Sequence, residues 1–253
     1  MAILRVQGNA RGVSITNSIA VALASTPTNG NVLVATIGLV FPTTLRTVSS
    51  ITQTNVVWTQ QVTKSYSATP YCSSDVWFGV VSASADVNIT IALSGTPSKG
   101  GIANVCEYSG LLTVGFLDKT ATAGATSATP STGTTANTTQ NDELCVGCHT
   151  IHTGAGTITT PTGSFTLLDG AYYATSASAY LERIVSATGA YVCTSTDTGG
   201  IDNWAGCIAT FKAAAAGAAV VKRRLLMGVG LSANIWNLNK HRLKFPSLNP
   251  KRF

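Results

Sequence analysis

The chain has 253 residues, of which 45% are hydrophobic and only 10% charged, with a formal net charge of +6. Its apolar share suffices for a sizeable core, and its length suits one large β-domain or two small domains. No stretch approaches the roughly 18 apolar residues of a membrane helix, which argues against a helical membrane protein.

The charge is unevenly placed. Residues 1–212 carry eight Lys/Arg against ten Asp/Glu, whereas residues 213–253 carry eight Lys/Arg and no acid. Two regions follow: a near-neutral β-domain over 1–212 and a basic C-terminal arm over 213–253. Any inference from basicity to nucleic acid concerns the arm alone. The opening residues, Met1 to Gly8, lack the basic and apolar regions of a secretory leader. The expectation is either a leader already cut away or release without one, as phage particles achieve at lysis.

Strand signals recur at short spacing between Gly, Pro, Asn and Thr clusters. In chain order they predict strands over 13–23, 31–40, 56–63, 75–81, 87–93 and 102–108, then over 143–152, 164–168, 178–185, 190–194 and 204–212. Val87-Asn88-Ile89-Thr90-Ile91 alternates cleanly, which places its apolar residues on one face. Residues 119–141 contain no large apolar residue and read as a long surface connection between two parts of a sandwich. Only 213–221 has helical composition, weakened by its glycine. The pattern predicts an all-β fold: a two-sheet antiparallel jelly-roll-like sandwich with an extended basic C-terminal arm.

A series of strand cores carries a resemblance. It runs Asn29-Gly-Asn-Val-Leu-Val-Ala35, Val56-Val-Trp-Thr59, Asp75-Val-Trp-Phe78 and Glu107-Tyr-Ser-Gly-Leu111. After the Thr-rich crossing come Asn141-Asp-Glu-Leu-Cys-Val-Gly147, Tyr180-Leu-Glu-Arg-Ile-Val185 and Trp204-Ala-Gly-Cys-Ile-Ala-Thr-Phe-Lys212. This resembles a β-sandwich module of phage virion proteins and environmental bacterial surface proteins, over about residues 12–212. The resemblance implies a structural or binding role and no particular chemistry. The arm lies outside it.

Few constellations point to catalysis. Cys145-Val-Gly-Cys148-His149 matches a haem-attachment string and, with His152, offers four metal-ligand types. These converge only on a helix. On a strand Cys145 and His149 face one way and Cys148 and His152 the other, so no metal and no cofactor is expected. Cys72, Cys106, Cys145, Cys148, Cys193 and Cys207 are candidates for disulfides, with the pairing open. Glu107, Glu182, Asp197 and Asp202 are the acid candidates, and no local spacing pairs them for acid–base work; Glu182 beside Arg183 suggests exposed ion pairs. Trp58, Trp77 and Trp204 fit core anchors in alternating strands. Tyr71, Tyr172, Tyr173 and Tyr180 are further rings for a sugar platform, with Tyr172 and Tyr173 on opposite faces.

The arm mixes cations with apolar anchors: Lys222, Arg223, Arg224, Leu226, Trp236, Lys240, Arg242, Phe245, Lys251, Arg252 and Phe253. A disordered tail is depleted of such anchors. Their presence fits a segment that orders against another subunit, with Trp236 and Phe245 as its hot spots. Nucleic-acid contact through the same cations is the weaker reading, and no amphipathic helical pattern suggests a membrane surface. The expectation is a non-enzymatic virion structural protein, a bacteriophage capsid decoration or cement protein or a head or tail appendage. Its partners are other virion subunits, homo-oligomeric in the assembly. The alternative is an extracellular carbohydrate-binding or adhesion module of a bacterial surface protein.

Overall fold

The structure, a computed structural model, describes residues 2–215. The chain divides into Met1–Gly217 and Ala218–Phe253. The arm residues from Lys222 to Phe253 named above therefore lie outside the described residues. None of the described residues is helical, and the strands pair antiparallel, as the composition predicts.

The first half supplies β1 (Leu4–Ser14), β2 (Ser18–Ala22), β3 (Val32–Phe41), β4 (Val48–Thr52), β5 (Val56–Tyr66), β6 (Tyr71–Val81), β7 (Asn88–Leu93) and β8 (Gly100–Ser109). They form one sheet ordered β1-β8-β3-β6-β5 and a smaller one ordered β2-β7-β4. The second half supplies β9 (Leu117–Ser127), β10 (Asp142–His152), β11 (Ile158–Thr159), β12 (Thr166–Asp169), β13 (Tyr172–Tyr173), β14 (Ser176–Ser186), β15 (Thr196–Asp197) and β16 (Asp202–Lys212). Its large sheet is ordered β12-β14-β10-β16-β9, with β13 also on β14, and β11 pairs with β15.

The two large sheets share one strand order: β1-β8-β3-β6-β5 corresponds to β9-β16-β10-β14-β12. The small sheets correspond as well. β11 and β15 stand where β4 and β7 stand. The segment from Ser131 to Thr138 takes the place of β2: it bridges to Thr194 and bonds from Thr132 N to Cys193 O and from Thr135 N to Tyr191 O. The segments leaving the halves meet symmetrically. Leu112 N donates to Lys212 O at 3.0 Å and Ala214 N to Gly110 O at 2.8 Å, about a bridge between Leu111 and Ala213. The chain is one strand pattern used twice.

This corrects the expectation of a single two-sheet sandwich. The large sheets pack face to face, with β10 against β3 and β6, β16 against β5 and β6, and β14 against β3. The face of the first sheet turned away from that contact is covered by the three-stranded sheet. The outer face of the second is covered by the segments around Ile158, Phe165 and Tyr191. Both central sheets are thus buried on both faces, which is why β3 reads as a near-continuous apolar run, broken by Thr36, with all ten residues buried. Leu33, Ile37 and Leu39 point to Ile19, Ile89 and Ile91, while Val32 and Val34 point to Leu144, Val146 and Phe211. Each such buried side chain contributes about 1.5–3 kcal/mol.

Several elements also differ from expectation, among them β4 and the start of β1, which were not predicted. The strand predicted over 13–23 is broken at Ile15–Asn17, where the Ser14 hydroxyl takes the Thr16 amide at 2.9 Å. The strand predicted over 190–194 is extended coil with one bridge. The supposed crossing over 119–141 contains most of β9. There alanines rather than large apolar residues alternate inward, and Ala121, Ala123 and Ala125 fill the space beside Trp204 and Ile208.

Candidate functional site

Strand geometry divides the Cys-x-x-Cys-His segment. Cys145 faces the outer core with Ile151 and Phe165, whereas Cys148 faces the central core with Val34 and Tyr180. His149 is fully buried with Nδ1 at 3.1 Å from Ser195 Oγ, and burial pushes its pKa down to about 3, so it is neutral. His152 lies half-buried at the strand end, 4.0 Å from Asp202. Among the described residues no group of three His, Cys, Asp or Glu side chains is placed to hold a metal ion.

All six cysteines are free and buried, where the sequence had made them candidates for disulfides. They are spread over separate strands and cores, and most face a residue other than cysteine across the sheet. Burial pushes the thiols of Cys72, Cys106 and Cys145 up to about 12 and that of Cys193 to about 11. Such thiols are poor nucleophiles.

The acid candidates have separate structural roles. Glu107, 1% exposed, accepts from Gln7 Nε2 at 2.6 Å, Asn31 Nδ2 at 2.6 Å and the Thr28 amide at 2.8 Å, and so ties the turn before β3 to β8. Glu182 forms an ion pair, with Arg5 rather than with the adjacent Arg183. Strand alternation turns it to Arg5 at 3.4 Å and to the Tyr108 hydroxyl at 2.6 Å. Arg183 points the other way, donating to Gly163 O at 2.7 Å over the Tyr191 ring. Asp197 is buried at the turn after β15, where its Oδ1 accepts from the Gly199 amide at 2.8 Å. Burial and the neighbouring Asp202 carboxylate push its pKa up to about 6.

A further charged cluster, not foreseen from the sequence, forms by register. Glu143 stands opposite Lys212 across β10 and β16. It is fully buried, beside Thr210 and Asp118. Burial, then the adjacent Asp118, pushes its pKa up to about 7. Burial opposes ionisation of Asp118 too, but donation from the Thr139 amide and hydroxyl at 2.5 and 2.7 Å, with Lys119 at 3.2 Å, holds it well below the usual carboxylate range. Two neighbouring carboxyls with pKa values set apart suit acid–base chemistry. Here the carboxyl with the raised pKa, Glu143, is fully buried.

The three tryptophans among the described residues pack in or against the core. Trp77 and Trp204 are 9% and 5% exposed, and Trp58 lies over Gly79. Tyr180 is fully buried. Tyr172 and Tyr173 are both half-buried on β13, and the Tyr172 hydroxyl donates to Gly154 O at 2.9 Å. That hydroxyl is already engaged within the protein.

A cleft of about 610 Å³ lies open at the end where the halves join, lined by Ala2, Leu4, Asn31, Leu111, Leu112 and Ala214 among others. A second depression beside it is lined by Leu112, Gln140 to Asp142 and Ala213 to Ala215. The two are counterparts under the duplicated pattern: each lies between the turn preceding a central strand and the segment leaving a final strand. Leu4 and Val114 nearby are 60% and 83% exposed. The cleft is mainly apolar, with Asn29, Asn31, Ser109 and Thr113 also on its wall, and its apolar part is suited to receiving apolar side chains. No protein-family model, curated protein or solved structure matches the chain.

Proposed function

We propose that this chain is a non-enzymatic structural protein of a bacteriophage particle, a capsid decoration or cement protein or a head or tail appendage. It docks onto other subunits through residues 213–253. Each half is read as a jelly-roll variant, in which β1-β8-β3-β6 and β2-β7-β4 form the two facing sheets and β5 joins the edge of the first beside β6. The observation that carries the reading is the distribution of chemistry. Among the described residues the thiols and the acid candidates are buried or tied into the fold, and the open cleft at the join is mainly apolar. The uncompensated cations lie beyond Lys212, interspersed with Trp236 and Phe245. Such a division suits a rigid scaffold that delivers an assembly segment.

The test is a truncation after Ala215, which keeps the bridge between Leu111 and Ala213. Full-length and truncated protein are mixed with particles lacking the protein and sedimented. The truncated protein remains in the supernatant if the arm docks. Normal occupancy by the truncated protein overturns the proposal.

A further inference from the structure

Six cysteines allow many pairings, yet the fold sets one pair directly opposite each other. In the register of β10 and β16, Cys148 faces Cys207, and both side chains point into the central core. Opposed residues of antiparallel strands have Cα atoms about 4.5–5.5 Å apart, within the roughly 4.4–6.8 Å that a disulfide spans. The other cysteines have different neighbours across the sheet. Cys72 faces Tyr66 and Val40, Cys106 faces Val34, and Cys145 faces Arg183 and Thr210. Cys193 lies in coil, bonded to Thr132.

In the folded chain the two thiols are held apart from chemistry. Cys207 Sγ donates to Ser74 O at 3.4 Å, and Cys148 Sγ lies 3.6 Å from Ser178 Oγ and 3.8 Å from Ile37 O. Both residues are fully buried under the first large sheet. A chain in which β16 has paired with β10, but the large sheets have not yet closed, presents both thiols side by side on an open face.

We propose that Cys148 and Cys207 are a disulfide site, closed when the chain folds among small-molecule disulfides and sealed as a dithiol when it folds under reducing conditions. One thiolate attacks the small disulfide, forming a mixed disulfide and releasing one small thiol. The second thiolate then attacks the protein sulfur, forming the Cys148–Cys207 bond and releasing the other small thiol. The two protein thiols are oxidised by two electrons, and their two protons leave on the two small thiols. This site rests on register alone, independently of the phage reading, so either can fail without the other.

The experiment uses the full chain and oxidised glutathione in two arms. One arm exposes folded, reduced protein; the other refolds denatured, reduced protein in the same mixture. Thiols are counted after denaturation and linked peptides are mapped by mass. The folded arm is expected to keep all six thiols and the refolding arm to fall to four, with Cys148 joined to Cys207. Cys148→Ser is expected to prevent the link. Cys72→Ser, which leaves the pair intact, is expected to retain it and so controls for a variant that folds poorly. Six thiols after oxidative refolding, or a bond between any other pair, overturns the site. Loss of thiols from the folded arm overturns the sealing.

Discussion

The Tyr108 and Tyr180 hydroxyls meet at 3.1 Å inside the central core, one from each half of the duplicated pattern. Tyr108 donates onward to Glu182 Oε2 at 2.6 Å, and Glu182 is met by Arg5 from the edge strand. This leaves Tyr180 as donor to the Tyr108 oxygen. The buried face between the large sheets therefore holds a directed polar relay among its apolar contacts. Its position sets how the two sheets align, because each hydroxyl is costly to bury without the other.

Removing the Tyr108 hydroxyl should show this cost. Tyr108→Phe strands the Tyr180 hydroxyl in the core and removes a donor from Glu182, and a loss of about 1–3 kcal/mol is expected. Urea unfolding measures it, and a double-mutant cycle with Tyr180→Phe should give a clearly non-additive result. Additive losses would show that the hydroxyls do not interact.

Gly38 tests the close approach of the sheets. A Cβ there would lie 2.4 Å from both Ser178 Oγ and Thr150 Oγ1. Gly38→Ala should destabilise the fold by about 1–3 kcal/mol through overpacking. Adding Ser178→Gly should recover part of the loss. If the single alanine is neutral in thermal unfolding, the face-to-face packing of β3 on β10 and β14 is wrong.

Stability should depend on pH with a definite sign. The folded-state pKa of Glu143 is raised from 4.5 to about 7, and those of Asp75 and Asp197 from 3.8 to about 6, chiefly by burial. Between those values the folded chain holds protons that the unfolded chain releases, so stability falls as pH rises through this window. Asp118, depressed instead, acts in the opposite sense below 3.8. Glu143→Gln should flatten the fall approaching pH 7 and should unfold at higher urea than the parent above it. An unchanged slope would remove Glu143 from this role.

The thiols give a direct measure of core closure. With all six buried and their pKa values raised by burial, a thiol-specific reagent should label none in native buffer and all six in denaturant. Rapid native labelling of Cys145 or Cys193 would mean that the layer covering the second sheet opens readily.

Local pattern in the sequence was enough for much of the fold. The apolar run Val32 to Phe41 and the alternation at Asn88 to Leu93 mark strands because side-chain period is a property of the strand itself. The same period separates Cys145 and His149 from Cys148 and His152, and the structure places Cys145 and Cys148 in different cores. β9 escaped because its inward residues are alanines, whose weak apolar signal becomes meaningful only beside Trp204 and Ile208.

The candidate chemistry was far less legible. Glu143 and Lys212, Cys148 and Cys207, and Tyr108 and Tyr180 are each distant in sequence, and no local spacing joins them. Their meeting depends on strand register and on how one sheet stacks upon another. The duplicated strand order is likewise a matter of pairing, since the two halves fill equivalent positions with different side chains. By itself the sequence determined strand content, the face each strand residue takes and the separation of the basic segment beyond Lys212, because these follow from periodicity and composition. Tertiary structure alone decided which residues are opposed, which acids are sealed and where an open apolar surface remains, because burial and register arise only when distant strands close on one another.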